Sequence, residues 1–147
     1  MYTIDASVWI NGFDQREAGH DASRKLLDLL SVRALPLVLP NLVLAEVAGA
    51  VSRTRSNPVQ GEALAASIAR LANARLVPLD DILANRAAGL AAQHGLRGAD
   101  AVYGAVALQA GATLITLDNE QLSRLPSAVP TSTPAAALAL LSAAAPP

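Results

Sequence analysis

The chain has 147 residues, the usual length of a single domain, of which 52% are hydrophobic and 16% charged. It is too apolar for disorder and has no long uncharged run to cross a bilayer, which predicts a folded, non-membrane protein with one core. Eleven basic against twelve acidic residues exclude nucleic-acid binding by bulk positive charge, and the lack of cysteine excludes disulfides, thiolate-held zinc, iron–sulfur clusters and thiol catalysis.

The start, Met1-Tyr2-Thr3-Ile4-Asp5, lacks the basic flank and apolar stretch of a signal peptide, which predicts a cytoplasmic protein. Tyr2 to Ile4 reads as a short strand, and Asp5 could cap a helix starting at Ala6. Trp9 and Phe13, four apart on that helix, are expected in the core or a subunit interface rather than stacked on bases. Ala22 to Ser31 carries Leu26, Leu27, Leu29 and Leu30 at helical spacing, and Leu37 to Leu39 reads as a buried strand. Asn41 could cap a helix from Leu42 to Arg53, and Asn57-Pro58 opens another running to Asn73. A strand from Arg75 to Leu79, helices from Asp81 to His94 and Gly98 to Ala110, and a strand from Ala112 to Leu117 follow. After a short helix from Asn119 to Leu125, Thr133 and Pro134 open a last helix from Ala135 to Ala145 with a frayed Pro-Pro end. This alternation predicts an α/β fold with a central, mostly parallel sheet, and with no internal repeat or linker the whole of 1–147 reads as one domain.

The informative residues are acids among apolar neighbours. Asp5 and Asp118 end predicted strands and Asp100 lies in the first turn of a predicted helix, positions that gather along one edge of an open parallel sheet. Glu46 has Leu42, Val43, Gly49 and Ala50 at three and four residues, so no intrahelical base can pair with it. Each acid also has a structural explanation: Asp5 a helix cap, Asp100 a complement to the helix dipole, Asp118 a capping box with Gln121, Glu46 a solvated helix edge. Four of them at one edge would repel one another unless a cation sat among them, and an oxygen-only donor set favours Mg²⁺ or Mn²⁺ over zinc. His20 and His94 fall near predicted helix ends and receive no catalytic role. Four aromatic residues in all are too few for a platform that stacks single strands.

Four segments together carry a resemblance. They are Ile4-Asp5-Ala6-Ser7, Leu44-Ala45-Glu46-Val47, Leu96-Arg97-Gly98-Ala99-Asp100-Ala101 and Ala112-Thr113-Leu114-Ile115-Thr116-Leu117-Asp118. In order and spacing the chain resembles, over about residues 1 to 130, the PIN-domain ribonucleases, specifically the VapC-type toxins of bacterial and archaeal toxin–antitoxin pairs. The resemblance implies a three-layer α/β/α PIN-like fold and metal-binding, catalytic roles for Asp5, Glu46, Asp100 and Asp118. It implies supporting hydroxyls at Ser7 and Thr116, a homodimer and a cognate antitoxin. A carboxylate-held cation would suit hydrolysis of RNA phosphodiesters, and Arg53, Arg55 and Arg97 are the candidate phosphate contacts. A PIN nuclease of RNA maturation and a noncatalytic PIN-like binding module are the alternatives. A receiver-like phosphoacceptor fits less well, because paired acids after the first strand and a lysine after the last core strand are missing.

Overall fold

The structure is a computed structural model in which residues 1–144 are described. In chain order the elements are β1 (Tyr2–Ile4), α1 (Ala6–Phe13), α2 (His20–Val32), β2 (Leu37–Pro40), α3 (Leu42–Arg55), α4 (Pro58–Ala69) and β3 (Ala74–Val77). There follow α5 (Asp81–His94), α6 (Gly98–Ala110), β4 (Thr113–Ile115), α7 (Asn119–Arg124), β5 (Thr131–Ser132) and α8 (Pro134–Ala143). The five strands form one sheet in the order β3-β2-β1-β4-β5, and each neighbouring pair is parallel. Helices flank it, as expected of an α/β/α fold. Ile4, Leu39, Leu114 and Ile115 are completely buried, and α6, packed against β1, β2 and β4, adds the buried Ala101, Tyr103, Ala105 and Ala107. Strands enclosed in this way can be largely apolar, and β1 to β4 need only three or four residues each.

Several boundaries differ from the sequence expectation for identifiable reasons. The segment expected to be helical as far as Asn73 leaves the helix after Ala69, and Asn73 Nδ2 donates to the carbonyls of Leu30 and Leu35 at 3.2 and 2.8 Å, fixing a turn ahead of β3. Asn41 adopts helical dihedrals and makes no side-chain cap. The strand β5 has no counterpart among the predicted elements, because Thr131 and Ser132 form no apolar run; it exists through bonds such as Thr116 N–H to the Ser132 carbonyl at 3.1 Å. The last helix begins where Thr133 caps and Pro134 opens it, and it packs against α2. Ala145 and the Pro-Pro end lie outside the described residues.

The strand order places the candidate site. From β1 the chain moves outward through β2 to β3, then returns to the other side of β1 for β4. The direction of winding reverses between β1 and β4, and loops beyond the carboxyl ends of two such strands diverge and leave a crevice. Asp5 follows β1 directly, and Thr116, Leu117 and Asp118 follow β4.

Candidate functional site

At that crevice lies an open cleft of about 690 Å³ lined by Asp5, Glu46, Asp100 and Asp118, with Ser7, Arg53 and Arg97 among the other lining residues. The four acids predicted to share an edge therefore share one cavity. They reach it from different elements: Asp5 caps α1, Glu46 projects from α3, Asp100 sits in the first turn of α6, and Asp118 caps α7. Capping does not exclude the chemical explanation, since a side chain that caps a helix with one oxygen can present the other elsewhere.

Asp5 is the most enclosed, at 6% exposed. Its Oδ2 accepts from the Ser7 N–H at 3.2 Å, from the Ser7 hydroxyl and from the Thr116 hydroxyl at 3.2 Å. Burial pushes its pKa up, and these hydrogen bonds oppose that rise only in part. The two hydroxyls also tie Asp5 to the chain after β4: Ser7 Oγ accepts from Leu117 N–H at 3.2 Å and Thr116 Oγ1 from Asp118 N–H at 2.9 Å. Ser7 and Thr116 thus link Asp5 to the segment after β4.

Glu46 accepts from the Tyr103 hydroxyl at 2.5 Å, a pairing that sequence reasoning misses because the two residues lie 57 positions apart. Burial is the main reason its pKa is raised, and the nearby charges of Asp5 and Asp100 raise it further. The Tyr103 hydroxyl is itself held protonated by burial and by Glu46, so it remains a donor. Gln121 reads in the sequence only as half of a capping box. The box is in fact half made: Asp118 Oδ1 accepts from Glu120 and Gln121 N–H groups at 2.8 and 2.9 Å, while the Gln121 side chain turns to Asp5 and Asp100.

The three candidate arginines have separate fates. Arg53 lines the cleft. Arg97 lines it too, but is engaged with the acids: Nε lies 3.1 Å from Asp100 Oδ2 and Nη2 lies 3.0 Å from Asp118 Oδ2. The sequence holds no basic cluster near the acids to neutralise them; in the fold a single guanidinium reaches two of them. Arg55 is not among the residues lining the cleft. Its Nη2 pairs with Asp14 at 2.8 Å and its guanidinium lies over Phe13, 5.5 Å from the ring centroid, which accounts for it without a phosphate. Asp14, also missed, is 7% exposed and accepts from Arg16 Nε and Nη2 at 3.0 and 2.8 Å. These bonds to Arg16 hold its carboxyl far below the usual range, with the charge of Arg55 adding to the effect.

Among the described residues no three acidic or histidine side chains already surround one point at coordinating distance. The donor chemistry nevertheless suits a hard divalent cation, because the acidic groups at the cleft offer only carboxylate oxygens and Arg97 already supplies positive charge between two of them.

An open parallel sheet whose winding reversal gathers four carboxylates from separate elements defines an α/β protein with an acidic crevice. The PIN domain profile matches residues 2–127, and the chain belongs to the PIN domain family. Solved structures share its fold, among them the following. The VapC20 toxin of Mycobacterium tuberculosis, described as cleaving the sarcin–ricin loop, superposes with a TM-score of 0.70 at 19% identity, covering 84% of this chain and 94% of its own. PAE2754 of Pyrobaculum aerophilum gives 0.71 at 19% identity, with 97% and 90% coverage. VapBC2 of Rickettsia felis, solved with a promoter DNA fragment, gives 0.66 at 17% identity, with 90% and 97% coverage. No curated protein matches the sequence.

Proposed function

We propose that this chain is a divalent-metal-dependent endoribonuclease, acting in the cytoplasm as the toxin of a toxin–antitoxin pair. The observation that carries the reading is the convergence of Asp5, Glu46, Asp100 and Asp118 in one cleft at the β1/β4 reversal. These four acids are the metal ligands, for Mg²⁺ or Mn²⁺. A cation held by these residues would supply activation of a water and charge stabilisation of the phosphate for hydrolysis. Asp5 is held in place by Ser7 and Thr116, and Glu46 by Tyr103. Arg53 at the cleft wall binds an RNA phosphate, and Arg97, once released from Asp100 and Asp118, binds another. Each divalent cation adds two positive charges to a chain of net charge −1, so RNA attraction depends on metal.

An antitoxin partner fits two features. A basic side chain can neutralise the acids in the cation's place, as Arg97 does in part. A cavity of about 230 Å³ lined by Trp9, Phe13, Leu27, Leu64 and Leu71 offers apolar surface on the early helices for the antitoxin segment that carries this side chain. Two copies of the chain pair through an apolar groove lined by Ala84, Ala88 and Ala91 of α5 and Val102 of α6.

The test is cleavage of RNA by purified protein with Mg²⁺ or Mn²⁺, lost on adding EDTA and in Asp5→Asn and Asp100→Asn, both of which keep their fold. Expression of the chain should arrest growth, and the small gene beside it should relieve the arrest. Full activity in EDTA after extensive dialysis would falsify the metal reading. Metal-dependent cleavage without toxicity would place the chain in RNA maturation, and loss of both cleavage and metal binding would leave a binding module.

A further inference from the structure

Gln121 touches three of the four acids. It is completely buried on α7, its backbone N–H donates to Asp118, and its Nε2 donates to Asp100 Oδ1 at 3.1 Å and Asp5 Oδ1 at 3.4 Å. Ionised carboxylates only accept, so the amide nitrogen must face them. That orientation leaves Gln121 Oε1 buried without a hydrogen-bond partner among the described residues. A buried, unpaired carbonyl is costly, and an apolar side chain of the same size would fill the space without that cost. Packing therefore does not explain a glutamine here, whereas its two N–H donors do.

We infer that Gln121 is a positioning residue for the metal-binding acids. Its amide engages one oxygen of Asp5 and one of Asp100, fixing the separation of the two carboxylates before a cation arrives. Reach and neutrality single out this side chain. Asparagine is one methylene shorter and cannot bridge the pair; lysine would satisfy both carboxylates but put a charge in the cation's electrostatic place; glutamate would add repulsion and donate nothing. The amide holds the ligands together without competing for what they bind. Groups behind a metal ligand orient it in this manner, and their loss commonly weakens metal affinity about 10–100-fold.

This inference rests on the metal-dependent reading above, and the experiment separates the two. Mn²⁺ binding to the full chain is followed by the paramagnetic resonance of free Mn²⁺ for wild type, Gln121→Met and Gln121→Lys. Gln121→Met, which keeps the volume and loses the donors, should bind Mn²⁺ about tenfold more weakly or worse. In RNA cleavage, its kcat should recover at saturating Mn²⁺ with KM for RNA unchanged. Gln121→Lys should melt at or above the wild-type temperature without metal, yet bind Mn²⁺ more weakly than Gln121→Met, a combination that loss of packing does not produce. Either variant binding Mn²⁺ as tightly as wild type overturns the inference, as does a kcat in Gln121→Met that stays low at saturating metal. If Gln121→Met does not fold, Gln121→Asn, neutral and too short to bridge Asp5 and Asp100, decides by the same loss of Mn²⁺ affinity, and wild-type affinity in it overturns the inference. A wild-type chain that binds no Mn²⁺ fails at the first step and overturns the metal reading together with the inference built on it.

Discussion

The hydroxyl of Tyr103 shows how one side chain can govern an acid that the sequence leaves unexplained. Glu46 has no intrahelical base, and the structure supplies a phenol from α6, held in its protonated, donating form by burial and by Glu46 itself. Tyr103→Phe keeps the buried ring and removes only the donor. Because Glu46 is half-buried and can turn toward solvent, the expected loss is that of one hydrogen bond, about 0.5–1.5 kcal/mol in urea unfolding of the metal-free chain. RNA cleavage should fall about 10–100-fold, as when a group behind a metal ligand is lost. Asp14 gives a second test, with a defined pH dependence. Its pKa is lowered from 3.8 in the folded chain by Arg16 and Arg55, so its ionised form stabilises the fold above that value, and the contribution fades as the pH falls from 3.8 toward the lower folded value. Asp14→Asn should therefore lower the melting temperature at neutral pH and converge with wild type in acid; an equal deficit at every pH would sink the electrostatic explanation. The four cleft acids are legible in the sequence because carboxylates beside apolar strands need a reason. Tyr103 and Gln121 are not, since their roles depend on partners that only folding brings close, and Asp14, although Arg16 stands two positions on, meets Arg55 only in the fold.

Elements are legible where one local rule decides them. Asn57-Pro58, Asp80 and Thr133-Pro134 cap the helices expected near them, with side-chain oxygens accepting from Gln60, Leu83 and Ala136 N–H groups. The two-residue β5 escapes because a parallel edge strand of Thr and Ser carries no local signal; its pairing belongs to β4. Packing between helices is equally hidden, and two glycines separate it from intrinsic propensity. Gly61 on α4 lies where α3 comes closest, and a Cβ there would meet the Ala48 carbonyl oxygen inside contact distance. Backbone cannot move aside as a flexible side chain can, so Gly61→Ala should cost about 1–3 kcal/mol by overpacking. Gly89, inside α5, has open space within 4 Å of where a methyl group would sit, so Gly89→Ala should gain about 0.5–1 kcal/mol from the lower entropy of the unfolded chain and better helix propensity. Urea unfolding of both variants checks the pair; changes of the same sign would refute the packing argument.

For the whole molecule, the apolar face of α5 and α6 has the most to say about assembly. Leu42, Leu79, Ala84, Ala88, Ala91 and Val102 line an almost wholly apolar groove of about 460 Å³, and Leu79 and Ile82 are 45% and 69% exposed. Ala99 lines both this groove and the acidic cleft, so a molecule seated on the groove also borders the site. The small side chains of Ala84, Ala88 and Ala91 let a second helix approach closely, and a two-fold axis would bring the same alanine-rich surface against itself, with no need for a different partner. Such an interface needs roughly 800 Å² from each copy, more than the groove alone provides, so exposed surface beyond the groove, beginning with Ile82, has to take part. Light scattering of wild type at tens of micromolar should give about twice the monomer mass. Ala88→Arg, which places a charge and a long side chain in the middle of the face, should give the monomer mass with the helical circular dichroism unchanged. A monomeric wild type, or an Ala88→Arg variant that remains dimeric, would remove the α5–α6 face from the interface; in the dimeric case the pairing surface would have to lie elsewhere.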